Sequence, residues 1–334
     1  MTWYQTDGKK NDMIISTRVR LARNISGFPF SAKLSREEGE KIIDLVWEAL
    51  APVQKDFTLY RIQKLSPVRQ QALIEKHLIS PDLTDARAPR AAIIHKDETI
   101  SIMVNEEDHI RIQCLAPGLA PDAAWDMANK IDDLIGETIS YAFHEKFGFL
   151  TSCPTNTGTG LRVSAMIHLP AISVSGGISG LLAQAAKSGM AVRGLYGEGS
   201  DAQGNFYQIS NQTTLGLSEE EIIERFGRVL ASIMEVEASL RKKIADAVPD
   251  RLTDRIMRAY GAMRYAHMIS GKELINYISD VRLGIYLGII EPIPFEKLTA
   301  LMVTTMPANI SGGGSMSAEE RDIKRASIVK KIFK

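Results

Sequence analysis

The chain has 334 residues, and 40 Lys and Arg residues balance 40 Asp and Glu residues, so the formal net charge is zero. With 45% hydrophobic and 24% charged residues, it has the composition of a folded globular protein of about two domains, which excludes a chain that is mainly disordered. The balanced charge argues against a general nucleic-acid-binding surface, and the apolar stretches fall well short of the roughly 18 residues of a membrane span.

The two cysteines and the first residues indicate a cellular compartment. Cys114 and Cys153 are too few for a disulfide framework, which fits a reducing environment. The opening residues, Met-Thr-Trp-Tyr-Gln-Thr-Asp, lack the charged and then apolar pattern of a signal peptide. We therefore expect a cytoplasmic protein.

Helix and strand signals alternate over the first two-thirds of the chain. Ser35 and Glu38 form a capping box that opens a helix predicted over 35–50. Apolar runs at 92–95 and 99–104 predict a hairpin. Further strands are predicted at 110–115 and near 149–152, 162–169, 190–195 and 205–209. Two more helices are predicted, over 122–147 with an end near Gly148 and over 178–188 with an end at Gly189.

From Ser218 onward the signals are almost wholly helical. Capping boxes are predicted at Ser218/Glu221, Ser270/Glu273 and Ser317/Glu320. The first opens a helix to about Val248, before Pro249, and the Ser-Gly-Gly-Gly-Ser run at 311–315 has the composition of a flexible linker. We predict an α+β domain over 1–248, with a largely antiparallel sheet flanked by helices, and an all-α domain over 249–334.

Arginines recur at the turns and strand ends of the predicted elements. Arg18 and Arg20 lie two residues apart, on one face of an extended segment. The other three are Arg111, Arg162 and Arg193. Guanidinium forks bind phosphate oxygens in pairs and keep their charge, so five such loops can bracket a polyphosphate. Scattered surface ion pairs are the alternative, and spacing alone favours them. The glycine-rich loops at 158–160 and 194–199 match no Walker A or dinucleotide motif.

Two polar segments are candidates for catalysis. The run Asn-Glu-Glu-Asp-His at 105–109 directly follows a predicted strand, where a carboxylate can act as a base, although a solvated turn is the simpler interpretation. Within it, His109 is more simply a structural histidine, because no second His or Cys lies at metal-ligand spacing. Cys153 is either a reactive thiol beside arginines or a small buried hydrophobe, and Cys114 fits the second description.

Together, these motifs resemble the phosphagen (guanidino) kinase superfamily over about residues 14–246. The order is Ser-x-Arg-Val-Arg, Asn-Glu-Glu-Asp-His-x-Arg, Cys-Pro-x-Asn-x-Gly-Thr-Gly-Leu-Arg and Arg-Gly-x-x-Gly-Glu. Within it, the chain is most similar to the bacterial protein arginine kinases (McsB type). Only 17 residues precede Arg18, so the helical N-terminal domain of creatine and arginine kinases is expected to be missing, and a helical C-terminal domain is present. Residues 321–326 are similar to the Arg-Asp-x-x-Arg-Ala phosphoarginine-binding motif.

The resemblance implies a role for each matching residue. The ATP phosphates are expected at Arg18, Arg20, Arg111, Arg162 and Arg193. The catalytic residues are expected to be Glu107, which orients and deprotonates the guanidinium, Glu198, a second substrate-binding glutamate, and Cys153, which contacts the guanidinium. An allosteric phosphoarginine pocket is expected at Arg321, Asp322 and Arg325. Met166 stands where small-molecule phosphagen kinases usually carry a histidine near the adenine, so the adenine contact is unassigned.

The resemblance also implies a function and partners. It implies a kinase that uses ATP with Mg²⁺ to phosphorylate arginines in proteins, marking them for a Clp protease in stress responses and protein quality control. The implied partners are a zinc-binding activator protein, a stress-gene repressor, the Clp protease and a second copy of the chain. One alternative is a small-molecule guanidino kinase, which Glu198 would serve equally well. Another is a non-catalytic adaptor that binds phosphoarginine through Arg321 and Asp322.

Overall fold

A twisted antiparallel sheet forms the centre of the molecule. The computed structural model describes residues 1–85, 88–194 and 203–333. Within these ranges, eight strands pair antiparallel in the order β2-β3-β4-β5-β1-β8-β10-β9, and β6 and β7 form a separate small hairpin. The strands are β1 Ile14–Arg23, β2 Phe57–Arg61, β3 Ala91–His95, β4 Ile100–Val104, β5 Ile110–Pro117, β6 Phe143–His144, β7 Gly148–Phe149, β8 Leu161–His168, β9 Met190–Gly194 and β10 Phe206–Asn211.

Helices flank the sheet and make up the C-terminal region. They are α1 Arg36–Ala49, α2 Pro67–Glu75, α3 Pro121–Gly136, α4 Pro170–Val174, α5 Ile178–Lys187, α6 Glu219–Asp246, α7 Asp250–Tyr265, α8 Gly271–Tyr286, α9 Phe295–Thr304, α10 Pro307–Ser311 and α11 Ala318–Lys330. The predicted α+β class with a helical C-terminal region is confirmed. Each predicted capping box is present, with reciprocal bonds at the starts of α1, α6, α8 and α11. In the parts of the chain that the structure describes, no helix is both long and apolar enough to cross a bilayer.

Side-chain alternation gives the sheet two different faces. In β1, Val19 and Leu21 are fully buried against α1, α3 and α6, where Val46, Ile131 and Phe226 join the same core. Arg18 and Arg20 project from the opposite face. Long apolar side chains on one face and long cationic ones on the other explain why helices pack on only one side of this part of the sheet.

The C-terminal helices cover part of the opposite face. Ile15 of β1 and Phe206 of β10 belong to a second apolar cluster with residues of α7, α8, α9 and α11. A third cluster includes Trp3, in a short 3₁₀ helix Trp3–Gln5, and Val303 of α9. Glu75, at the end of α2, is buried and accepts the backbone N–H groups of Ala308 and Asn309 at 2.9 Å each. The first residues of α10 are thereby tied to the sheet domain.

The helix predicted over 122–147 was wrong in length, because α3 ends at Gly136. Ile139 continues the helical spacing but is buried after a turn. The chain then reverses, so that Tyr141 pairs with Ile25 and the ring of Phe149 packs 3.6 Å from the guanidinium of Arg23. The strand predicted near 149–152 is reduced to Gly148–Phe149.

The segment predicted as a flexible linker, 311–315, begins inside a helix and continues as a turn. Ser311 is the last residue of α10, and Gly312 adopts a left-handed φ of 62° as its C-cap. The N–H of Gly314 returns to the carbonyl of Ser311 at 3.1 Å. The glycines therefore end one helix and turn the chain into Ser317, the N-cap of α11.

Candidate active site

Strand register places the arginines predicted to bind phosphate on one face of the sheet. Arg20 lies opposite Arg162 of β8, and Ala22, two residues further along β1, lies opposite Arg111 of β5. Paired residues on neighbouring strands share a face. Met166 of β8 pairs with Gln208 of β10, and Gln208 in turn pairs with Arg193 of β9. Arg193 therefore lies on the same face of the sheet. We call this side of the sheet the arginine face, carrying Arg18, Arg20, Arg111, Arg162 and Arg193.

The prediction of strand ends is confirmed for three of these arginines, because Arg111 and Arg162 are the second residues of β5 and β8 and Arg193 is the next-to-last residue of β9. Placing them on five loops was wrong, since Arg18 and Arg20 lie in the middle of β1 and the other three also lie within strands. The physical reason is the antiparallel register, which aligns residues distant in sequence across five neighbouring strands. A rigid sheet holds such side chains in more fixed positions than loops would.

Like charge accumulates on the arginine face. Burial, with the charges of Arg111 and Arg162, lowers the pKa of Arg18 to about 10. The same causes lower the pKa of Arg20, and burial with the charge of Arg193 lowers that of Arg162. Protonated guanidinium groups held this close are relieved by an anion between them. The face is thus electrostatically suited to a polyphosphate.

The turn at 105–109 brings two carboxylates to the edge of this face. Glu106 is buried, and its carboxylate lies 2.9 Å from Arg111 and accepts the Ser80 hydroxyl at 2.5 Å. Glu107 is 42% exposed and lies 3.2 Å from the same arginine. The solvated-turn interpretation was wrong, because Glu107 is the exposed member while the other four residues are buried. Glu106 positions Arg111, and Glu107 is left open to a substrate.

The pKa of Glu107 is raised from its usual value, first by burial and then by the charges of Asp108 and Glu106. Arg111 opposes this shift by favouring the carboxylate. A carboxylate whose pKa is raised holds a proton more readily than an ordinary glutamate does. This is the property required of a group that takes a proton from a substrate.

Asp108 ties the Cys153 loop to the carboxylate turn. One oxygen of Asp108 accepts the Asn24 amide at 2.7 Å and the backbone N–H of Ser152 at 2.6 Å. The half-exposed Cys153 follows, with its Sγ 3.0 Å from the Thr155 hydroxyl. On the same loop, Asn156 accepts from Arg162 at 3.3 Å. Both Cys153 and Glu107 are therefore anchored beside the arginine face.

The two remaining titratable residues of the sequence analysis are structural. His109 Nδ1 accepts the N–H of Ile25 at 3.0 Å, and its Nε2 lies 2.8 Å from the Pro29 carbonyl, so both ring nitrogens are used within the fold. The structural interpretation of His109 is confirmed. Cys114 is fully buried, and burial raises the pKa of its thiol, as a small buried hydrophobe requires.

The three residues predicted to form the phosphoarginine pocket lie on α11 and not on the arginine face. Glu198 lies outside the described residues. Arg321 and Asp322 are half-buried on α11, where Arg321 donates to the Met316 carbonyl at 2.6 Å. Arg325 is 2% exposed, is paired with Asp322, and donates to the carbonyls of Thr305 at 3.1 Å and Ile269 at 2.8 Å.

Sequence reasoning missed three polar residues that shape the site. Glu106 and Ser80 orient Arg111, and Gln208 accepts from Arg18 at 3.1 Å. The adjacency of Glu106 to Glu107 was a usable signal. Ser80 and Gln208 carried none, because their partners are 26 and 190 residues away in sequence.

Comparison with known proteins agrees with this geometry. The sequence model of the ATP:guanido phosphotransferase C-terminal catalytic domain matches residues 38–240. The crystal structure of lombricine kinase aligns with a TM-score of 0.64 and 25% identity, covering 75% of this chain and 72% of that one. The fold and the matching catalytic domain are those of a phosphotransferase that acts on guanidino groups.

Relatives that match nearly the whole chain identify the family more specifically. The model of the protein-arginine kinase McsB C-terminal domain matches residues 249–334. A protein-arginine kinase of Caldanaerobacter subterraneus subsp. tengcongensis is 49% identical over 95% of this chain and 96% of its own length. The protein-arginine kinase of Bacillus subtilis (strain 168) is 43% identical over 98% of this chain and 92% of its own length. The chain belongs to the protein-arginine kinase family, whose members are ATP-dependent kinases of arginine.

Proposed function

We propose that this chain transfers the γ-phosphate of ATP·Mg²⁺ to arginine side chains displayed on polypeptides, at the site between the arginine face and Glu107. The observation that supports this most is the register that aligns Arg18, Arg20, Arg111 and Arg162 beside one exposed carboxylate. Cationic groups for the phosphates and a base for the acceptor thus lie within one site.

The chemistry of the acceptor explains why both parts are needed. A guanidinium keeps its proton up to a pKa of about 12 or more, so its nitrogen is not a nucleophile until the proton is removed. In our proposal Glu107, with Glu198, orients the fork, and Glu107 accepts the proton. The nitrogen then forms a bond to the γ-phosphorus while the bond to the β-phosphate oxygen breaks. The transferred group is loose and metaphosphate-like, so the arginines act by positioning and by charge neutralisation.

Two further roles belong to the same proposal. Cys153 contacts the bound guanidinium, consistent with its half-exposed place on the loop that Asp108 anchors. Arg321, Asp322 and Arg325 form a separate phosphoarginine pocket on α11. We also propose the division into a catalytic domain, 1–248, and a helical domain, 249–334, that serves dimerisation and regulation.

The cellular role we propose follows from the family. Phosphoarginine marks proteins for a Clp protease in the stress response, in the cytoplasm. The partners are a zinc-binding activator protein, a stress-gene repressor and the protease. The family match over 249–334 supports this reading.

The test is a transfer assay with two acceptors in parallel. The full chain is incubated with ATP·Mg²⁺ and either an unfolded, arginine-containing protein or free arginine, and the product is identified by mass spectrometry and acid lability. We expect acid-labile phosphate on protein arginines, abolished in Glu107→Ala. Glu48→Ala, which changes an exposed carboxylate on α1, serves as the matched control and should retain wild-type activity.

Three results would contradict the proposal or part of it. Label found only on free arginine would identify a small-molecule guanidino kinase. Phosphoarginine binding without any turnover, even after the activator protein is added, would identify an adaptor. Wild-type activity in Glu107→Ala would move the base to another residue.

A further inference from the structure

Arg23, the last residue of β1, is a buried cation that the proposed phosphate transfer does not use. The residue is only 1% exposed, and alternation along the strand turns its side chain away from the arginine face. Its Nε and Nη2 donate to Asp132 Oδ2, on α3, at 3.0 and 2.7 Å. The ion pair compensates the buried charge, but it occupies only one edge of the guanidinium.

The rest of the guanidinium contacts the two residues that flank the Cys153 loop, which we define as residues 150–158. Nη1 donates to the carbonyl of Thr159, immediately after the loop, at 2.8 Å. The Cζ atom lies 3.6 Å from the centroid of the Phe149 ring, immediately before the loop. One side chain therefore contacts both ends of the loop.

Backbone hydrogen bonds close the loop at the same place. The N–H of Phe149 donates to the Gly158 carbonyl at 2.8 Å, and the N–H of Gly158 donates to the Phe149 carbonyl at 3.3 Å. Asp108 holds a second point by accepting the N–H of Ser152 at 2.6 Å. Arg23 thus fixes the base of the loop to the end of β1, while Asp108 fixes its upper part to the carboxylate turn.

We propose that Arg23 is a positioning residue, which acts through the Cys153 loop and sets where Cys153 stands relative to the acceptor guanidinium. This inference rests on the proposed function, in which Cys153 contacts the acceptor. The three contacts require a planar cation with several donors and a flat face. Lysine, with a compact ammonium group, has no such face and no fixed fork of donors.

The acceptor should feel a shift of this loop more than the nucleotide does. Cys153 lies four residues after Phe149, so a displacement at the base of the loop reaches its thiol over a short stretch of chain. Misplacing a reacting group by 1 Å can cost on the order of 10²-fold in rate. Arg18 and Arg20 are held instead by the pairing of β1 with β5 and β8.

The test uses two variants of the full chain. Arg23→Lys keeps the charge but loses the planar fork, and Phe149→Leu removes the ring while leaving Arg23 and Asp132 in place. Each is also combined with Cys153→Ala. Initial rates are measured with ATP·Mg²⁺ and an unfolded, arginine-containing protein, at a temperature where every variant is folded, and ADP affinity is measured by calorimetry.

Arg241→Lys is the matched control. Arg241 is also 1% exposed and also pairs with a buried carboxylate, that of Glu237, at 2.7 Å. Its other hydrogen bonds go to Asp12 and to the carbonyl of His168. The substitution therefore disturbs a buried arginine of the same kind at a different place in the fold.

We expect Arg23→Lys to lower kcat/KM for the acceptor by roughly 10- to 100-fold and Phe149→Leu by about threefold, with ADP affinity within about twofold of wild type. In the Cys153→Ala background, Arg23→Lys should add little further loss, because residues that act through one group are not additive. Arg241→Lys should lower the melting temperature and leave both constants unchanged.

Three outcomes would overturn the inference. One is an equal loss of ADP affinity and of acceptor kcat/KM, which would assign Arg23 to the stability of the whole sheet. The second is a loss that adds in full to that of Cys153→Ala. The third is a wild-type kcat/KM in both Arg23→Lys and Phe149→Leu.

Repeating the series with free arginine as acceptor separates this inference from the proposed function. If the wild type labels free arginine alone, the proposed protein substrate is contradicted. The dependence of that rate on Arg23 and Cys153 then still decides whether Arg23 positions the loop.

Discussion

At the scale of single residues, burial decides which charges can act. Arg18 and Arg20 are held among other arginines with few carboxylates nearby, so their charge is available to a ligand. Arg23 lies three residues further along β1 than Arg20, and its guanidinium is already paired within the fold. It lies 2.7 Å from Asp132 and packs on the ring of Phe149. Neighbouring arginines of one strand therefore have different functions, because alternation sends them to different faces.

Each arginine that we propose to bind phosphate should be needed for the rate of transfer. Replacing Arg18, Arg111 or Arg162 by Ala removes a preorganised charge from the transition state, and should lower kcat/KM by on the order of 10²-fold or more. Arg258→Ala, at an exposed ion pair on α7, should match wild type. Initial rates of ADP release provide the measurement. Rates within about threefold of wild type in all three variants would refute the pocket.

The raised pKa of Glu107 predicts the acid limb of the pH profile. In the proposed mechanism Glu107 acts as a carboxylate, and this form is lost as the pH falls through its folded pKa. Because that pKa is raised, activity should begin to fall at a higher pH than an ordinary glutamate would give. In Arg111→Gln the limb should move further up in pH, since Arg111 favours the charged form.

The measurement is kcat/KM for ATP-dependent ADP release against pH. Arg258→Gln is the control, and should leave the limb where it is in wild type. A limb that stays fixed in Arg111→Gln would show that Glu107 is not the titrating group.

At the scale of elements, patterns within a few residues predicted the helix starts correctly, whereas pairing between distant segments could not be predicted. The Ser-x-x-Glu boxes fixed four helix starts, because a capping box is a bond pattern within four residues. The end of α3 was missed, because Ile139 satisfies the helical period while its burial is achieved by a turn. That the five arginines share one face of the sheet could not be predicted from the sequence, since strand register depends on partners far along the chain.

A glycine in the Cys153 loop should be irreplaceable. Gly158 has a φ of 117°, and a Cβ there would lie 2.1 Å from the Thr214 carbonyl oxygen. Gly158→Ala should displace the loop, lower stability by roughly 1–3 kcal/mol and reduce kcat. Gly180→Ala, in an open helical position of α5, should instead be neutral or stabilise by about 0.5–1 kcal/mol. Urea unfolding with activity assays distinguishes the two, and equal behaviour would contradict the strain argument.

At the scale of the whole molecule, the junction between the sheet and the C-terminal helices borders the arginine face. Its key contacts join residues 233 and 234 positions apart, as in the Glu75 bonds to α10. No local pattern could have predicted them. The family resemblance supplied the arginines and Glu107, but gave no role to Glu75. The motifs thus predicted the candidate catalytic residues, whereas the contacts with the C-terminal helices could be identified only from the tertiary structure.

Removing the Glu75 carboxylate should weaken this junction. Glu75→Ala leaves the first N–H groups of α10 without their acceptor, which should cost about 1–3 kcal/mol of unfolding free energy. Glu48→Ala, on the exposed side of α1, is the control, and urea unfolding provides the measurement. Unchanged stability in Glu75→Ala would show that α10 is held by its apolar contacts alone.

A cavity of about 340 Å³ lies at this junction, lined by Arg18 and Arg20 of β1 and by Met302 and Met306 of the C-terminal region. Its position has a thermodynamic consequence. A ligand that fills it touches residues 15–20 of the sheet and residues 299–306 of the helical region at once. It therefore binds only while both halves are folded, and stabilises them together by RT ln(1 + [L]/Kd), about 2.7 kcal/mol at a hundredfold excess over Kd. Saturation of the cavity with a ligand should therefore merge the heat-induced unfolding of sheet and helices into one sharper transition, which lengthens the lifetime of the folded chain at high temperature.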